Sequence, residues 1–88
     1  MVSFDPAKAR SNFRKHGIRF ADCVPALEDP NAITVEDPHG DEQRFNTLGM
    51  DANGILVLVT WTERGEGIRF ISARKASAGE ARQHGKGR

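Results

Sequence analysis

Eighty-eight residues suffice for one domain with a modest core, since a chain this short buries only about 60–70% of the surface that its unfolded form exposes. A hydrophobic content of 38% with near-balanced charge argues against wholesale disorder, and the single cysteine, Cys23, excludes an intramolecular disulfide. No apolar run reaches membrane-spanning length and the opening MVSFDPAKAR lacks the core of a signal peptide, so the expected location is the cytoplasm.

The net charge of +1 conceals a segregation. Residues 1–20 carry Lys8, Arg10, Arg14, Lys15 and Arg19 against Asp5. Residues 21–43 carry Asp22, Glu28, Asp29, Glu36, Asp37, Asp41 and Glu42 with no Lys or Arg, and residues 64–88 are basic again. If the two basic ends meet in the folded chain, they form a patch that attracts polyanions in spite of a near-neutral average. Otherwise these charges only solvate the surface.

FDPAKARSNFRKHGI carries both helix end signals: Asp5 as N-cap, Pro6 in the first helical position, and Gly17 just past the end. Ala9, Phe13 and His16 follow at helical spacing and define the expected inward face, with Ile18 packing back on Phe13. FADCVPALEDP reads as a second, shorter helix in which Pro25 causes a kink or a late start. From there the period becomes alternating. AITVE is a short strand, DPHGDE a turn-rich acidic loop, and QRFNTLGM a strand closed by DANG, whose Asn53-Gly54 is a hairpin signal. ILVLVTWTER is a continuous apolar run expected at the sheet centre. A two-residue Gly65-Glu66 turn returns GIRFISARK beside it, pairing Trp61 with Phe70, Thr62 with Arg69, Val59 with Ser72 and Val57 with Arg74. The tail forms a short helix capped by Ser77 and frays over 81–88. The expected fold is α+β: two N-terminal helices packed on a four-stranded antiparallel sheet, with a short C-terminal helix, all in a single domain.

The sequence offers no cofactor or metal motif. His16, His39 and His84 lie far apart, no Gly-rich phosphate loop is present, and no serine sits in a nucleophile elbow. What remains is a polar set on the first helix and at strand ends: Lys15, His16, Glu42, Arg44, Glu63, Arg64, Arg69, Ser72 and Arg74. It matches metal-independent RNA cleavage, in which the ribose 2′-OH is the nucleophile. The protein then needs a base, an acid, and cations for the crowded phosphorane. Arginine suits the last task because its planar fork reaches two phosphate oxygens. Each residue also has a plain structural account: Arg14, Lys15 and His16 gain from the dipole of a helix C-terminus, Glu42 belongs to a solvated acidic loop, and Trp61 with Phe70 forms cross-strand core. The residues alone leave both readings open.

FDPAKARSNFRKHGIRF, EDP…DEQRFNTLGM and VTWTERGEGIRFISARKAS together resemble the BrnT family of toxins from bacterial type II toxin–antitoxin systems. The resemblance runs from Phe4 to about Glu80 and rests on the D-P-x-K…N-x-x-K-H-G helix, Glu42 with Arg44, Thr62 to Arg64, and the strand from Ile68 to Ala76. It implies a RelE-like α+β fold and an endoribonuclease that arrests translation. It also implies neutralisation by a BrnA-like ribbon-helix-helix antitoxin in a heterotetramer that represses its own operon, touching operator DNA only through the antitoxin. The catalytic site so implied comprises Lys15, His16, Glu42, Arg44, Arg64 and Arg74, flanked by RNA-binding Arg14, Arg69 and Lys75. Two departures stand out: Phe4 where relatives carry tryptophan, and ARQHGKGR where they carry a longer charged segment ending in tyrosine. An alternative reading is a catalytically weak or inactive antitoxin-binding module that serves as co-repressor of its own operon; a stand-alone DNA-binding domain ranks last, for want of a recognition helix.

Overall fold

The computed structural model describes residues 1–38 and 42–85. Its centre is a five-stranded sheet in the order β1-β5-β4-β3-β2, formed by Val2–Ser3 (β1), Ile33–Asp37 (β2), Arg44–Met50 (β3), Leu56–Arg64 (β4) and Gly67–Lys75 (β5). The four long strands form the expected meander. The fifth strand was not foreseen: β1 joins β5 in parallel, Val2 beside Ile68 and Ser3 beside Arg69. Two residues carry no alternation, so nothing in the sequence marked them. Gly67 makes the docking possible, because a Cβ there would collide with the Met1 carbonyl.

Pro6–His16 form α1, with the Asp5 side chain accepting from the Ala7 N–H at 2.8 Å and Gly17 left-handed at φ 71°. The helix ends fall where the cap residues put them. Its inward face differs from the expected one. Phe13 is 41% exposed and His16 is exposed, whereas Asn12 is buried. The Asn12 side-chain amide donates to the Ala73 carbonyl at 2.8 Å and to that of Ile18 at 3.1 Å, and its oxygen accepts from the Ala73 N–H at 3.0 Å. Beyond the short β1, this one side chain supplies the edge of β5 with the partners that a further strand would offer. The second helical segment is a 3₁₀ turn, Phe20–Cys23, followed by one α-turn, Val24–Leu27 (α2), with Pro25 in its first turn where the missing N–H costs nothing. A Cβ at Gly49 would strike the Ala26 carbonyl, so α2 sits on bare β3 backbone.

The core lies between this helical layer and one sheet face: Ile18, Phe20, Cys23 and Ala26 against Val57, Val59, Phe70 and Ala73. Phe20 meets Phe4 and Phe70 edge-on at 5.4 and 6.0 Å. Burial, with Asp51 and Asp22 nearby, pushes the Cys23 thiol up to about 12.

Trp61 does face Phe70 and Thr62 faces Arg69, but Val59 faces Ala73 and Val57 faces Lys75, each one residue beyond the expected partner. An extra residue, Ile71, sits in β5 between the partners of Thr60 and Trp61. The bulge keeps Phe70 and Ala73, three apart, on one face. The Gly65-Glu66 turn is as expected, with Gly65 at φ 59° between the paired Arg64 and Gly67. The other hairpin spans Ala52–Gly54, Gly54 being left-handed and Asp51 accepting from the N–H groups of Asn53 and Ile55. Ala78–His84 form α3, so the chain is helical through His84 rather than frayed from 81. Tethers explain it: Glu80 holds Arg74 through two 2.9 Å bonds, and His84 Nε2 lies 2.8 Å from Asp29. Of the acidic DPHGDE loop, residues 39–41 lie outside the described residues.

Candidate RNA-binding face

Side chains alternate across a strand, so the register assigns each residue to a face. Thr47, Val57, Val59, Trp61 and Phe70 point to the helical layer. Arg44, Asn46, Thr60, Thr62, Arg64, Arg69, Ser72 and Arg74 therefore point to the other face, which α1 and α2 leave uncovered. Hydrogen bonds agree: Thr60 donates to Asn46 at 2.7 Å, and the Asn46 amide lies 3.5 Å from Asp37, the partner of Arg44.

Thr62 is the centre of an arginine group on this face. Arg69 is its cross-strand partner on β5. On the other side, continuing the β3–β4 register by one residue brings Arg44 beside it, and the Thr62 hydroxyl donates to the adjoining Gln43 carbonyl at 2.7 Å. Arg64 follows two residues along the same strand. With strands about 4.8 Å apart and a rise of about 3.3 Å per residue, the Cα atoms of Arg44, Arg64 and Arg69 lie within about 10 Å of Thr62 and of one another. Thr62 itself is buried, at 3% exposure. The Arg44 Nε is buried and has no hydrogen-bond partner among the described residues. Glu42 joins the rim, its Oε1 3.8 Å from an Arg64 nitrogen.

Arg74 does not belong to this group. It pairs with Leu58, four residues and about 13 Å along β4 from Thr62, and it is some six residues, about 20 Å, from Arg64. Its guanidinium is held bidentately by Glu80, which is itself fixed by the Ser77 capping box. Arg74, first of several causes, drives the Glu80 carboxyl down to about 2. Of the three strand arginines expected in the catalytic set, the register brings Arg44 and Arg64 together with Arg69 and leaves Arg74 apart. Sequence reasoning had put Arg69 at the margin; its alternation with Phe70 was the signal that could have moved it in.

Lys15 and His16 approach from the edge. With Lys8, Ser11 and Asn12 they line a shallow depression against Ile71 and Ser72 at the β5 bulge. Ser72, opposite Thr60, lies on the arginine face, so the end of α1 borders that face although the helix packs on the other. Three expected residues fall elsewhere. Arg14 lines a groove on the helical layer, Lys75 is paired with the core residue Val57, and Glu63 is paired with Ile68. Among the described residues no group of three or more His, Cys, Asp or Glu is placed to hold a metal ion, and no helix is long and apolar enough to cross a membrane.

The family described as "Ribonuclease toxin, BrnT, of type II toxin-antitoxin system" matches residues 4–80. A search of curated proteins gives no match. Among solved structures the chain is similar to the ribonuclease toxin BrnT of Brucella abortus, at 26% identity and a TM-score of 0.65, covering 86% of this chain and 95% of that one. A match over that much of the sequence, together with the shared fold, places this chain in the BrnT family of ribonuclease toxins from type II toxin–antitoxin systems.

Proposed function

We propose that this chain is a metal-independent endoribonuclease whose scissile phosphate rests on Arg44, Arg64 and Arg69. One observation carries the reading: arginines from three adjacent strands neighbour Thr62 in the register, on a sheet face that the first two helices leave bare. Arginine suits that place because its planar fork matches the oxygens of a phosphate.

In this mechanism Glu42, beside Arg64, takes the proton from the ribose 2′-OH. The freed oxygen attacks the adjacent phosphorus, and the arginines stabilise the negative charge that gathers on the phosphorane. The bond to the 5′-oxygen breaks as His16, from the β5 edge, gives that oxygen a proton. The products are a 2′,3′-cyclic phosphate and a 5′-hydroxyl. Lys15 and Ser72 line the path of the strand towards His16. Base and acid thus come from opposite sides of the arginine group, as an in-line displacement requires. Cleavage of messenger RNA would arrest translation, and a protein antitoxin would restrain it.

The test is induction in cells with and without the co-expressed product of the adjacent reading frame, followed by mapping of RNA ends. Growth arrest relieved by the co-expressed protein, with new cyclic-phosphate ends, is expected. Normal growth and intact RNA would instead make the chain an antitoxin-binding module and co-repressor.

A further inference from the structure

On the side away from the arginine face, the helical layer opens into a groove of about 380 Å³ lined by Phe4, Ala9, Phe13, Phe20 and Ala21, with Arg10, Arg14 and Arg19 as its polar lining. Single exposed apolar side chains are ordinary. Phe13 differs because it is 41% exposed and forms the wall of a concavity already shaped in the free chain. The Arg19 guanidinium lies 4.4 Å from its ring centroid and so stiffens that wall. None of the three arginines makes an ion pair among the described residues, and no carboxylate lines the groove. An apolar floor beneath three unpaired cations is complementary to an apolar side chain flanked by carboxylates.

We infer that this groove is the docking site for an acidic amphipathic segment of the protein antitoxin, which inserts an aliphatic or aromatic side chain beside Phe13 and sets its Asp and Glu residues against Arg10, Arg14 and Arg19. The inference rests on the reading that the chain works with an antitoxin. Single-stranded RNA is the competing occupant, since bases stack on aromatic rings between cations. The floor favours peptide: its two alanines and three phenylalanines offer a base edge no hydrogen-bonding group. Because the groove and the arginine face lie on opposite sides of the sheet, grip on the antitoxin and grip on RNA are separable by mutation.

The experiment measures affinity for the purified antitoxin encoded beside this chain, using Phe13→Ala, the double variant R10E/R14E and, as control, Arg64→Ala, each checked for a wild-type-like melting curve. Loss of a central aromatic contact and reversal of two charges should weaken binding by about tenfold or more and about 100-fold, respectively, while Arg64→Ala stays within about twofold. Binding should weaken with salt for the wild type and far less for R10E/R14E. A complex that ignores the groove variants overturns the site and leaves the antitoxin reading standing; absence of any complex with the wild type sinks both. Groove variants that lose binding of a uridine 12-mer while keeping the antitoxin would assign the groove to RNA and likewise overturn the inference.

Discussion

Replacing Asn12 with alanine is the sharpest test of how α1 is held on the sheet. The wild-type side chain is buried and satisfies three backbone groups: the N–H and carbonyl of Ala73 and the carbonyl of Ile18. Ala73 is fully buried, so water cannot readily take over. Each buried group left unsatisfied costs about 1–3 kcal/mol, but the carbonyls keep a second lone pair and relax more easily, which brings the expected total to about 3 kcal/mol. For a domain of this size, total stability is about 4–13 kcal/mol and 1 kcal/mol moves Tm by about 4–8 °C, so Tm should fall by about 12–24 °C. Asn12→Asp should do no better, because a carboxylate can accept from Ala73 but repels both carbonyls. Urea titration followed by circular dichroism reads the change as a lower midpoint at unchanged slope. An alanine variant melting within 2–3 °C of the wild type, by the same scale, would refute the claim that this amide stands in for a strand.

Other consequences follow from particular groups. The Glu80 carboxyl is lowered to about 2 by Arg74, so its contribution is complete above the unfolded value near 4.5 and is lost as pH falls through 2. With Arg74 partly in solvent, that contribution is about 1 kcal/mol, and Glu80→Gln should flatten the stability–pH slope in this window. Cys23, raised to about 12, should resist iodoacetamide at pH 8 in the folded protein and react only on unfolding, as counted by mass spectrometry. Gly49→Ala drives a methyl into the Ala26 carbonyl and should cost about 1–3 kcal/mol, read from the urea midpoint.

Local chemistry made much of the fold legible. Asp5, Pro6 and Gly17 set the ends of α1, and Gly65 with Gly54 marked the reversals. What escaped was set by tertiary contact. β1 is too short for a pattern, the bulge at Ile71 shifted two of four expected pairs, and Asn12 lay outside the expected inward face because only tertiary contact with the β5 edge gives it partners. The site divides in the same way. Strand alternation was enough to put Arg44, Arg64 and Arg69 on one face, whereas the pairing of Arg74 with Glu80, six residues later on a separate helix, has no local signal. Helical periodicity placed Phe13 inward; its exposure reflects the groove beside it rather than any weakness of the helix.

The arginine assignment is tested most directly by single-turnover cleavage of end-labelled RNA at low salt, comparing Arg44→Ala, Arg64→Ala, Arg69→Ala and Arg74→Ala. Removing a donor from the charge that develops on phosphate costs about 10²–10³ in rate, so the first three variants should fall by that factor while Arg74→Ala stays within about tenfold. Loss of activity in Arg74→Ala alone, with the other three near the wild-type rate, would contradict the site described around Thr62.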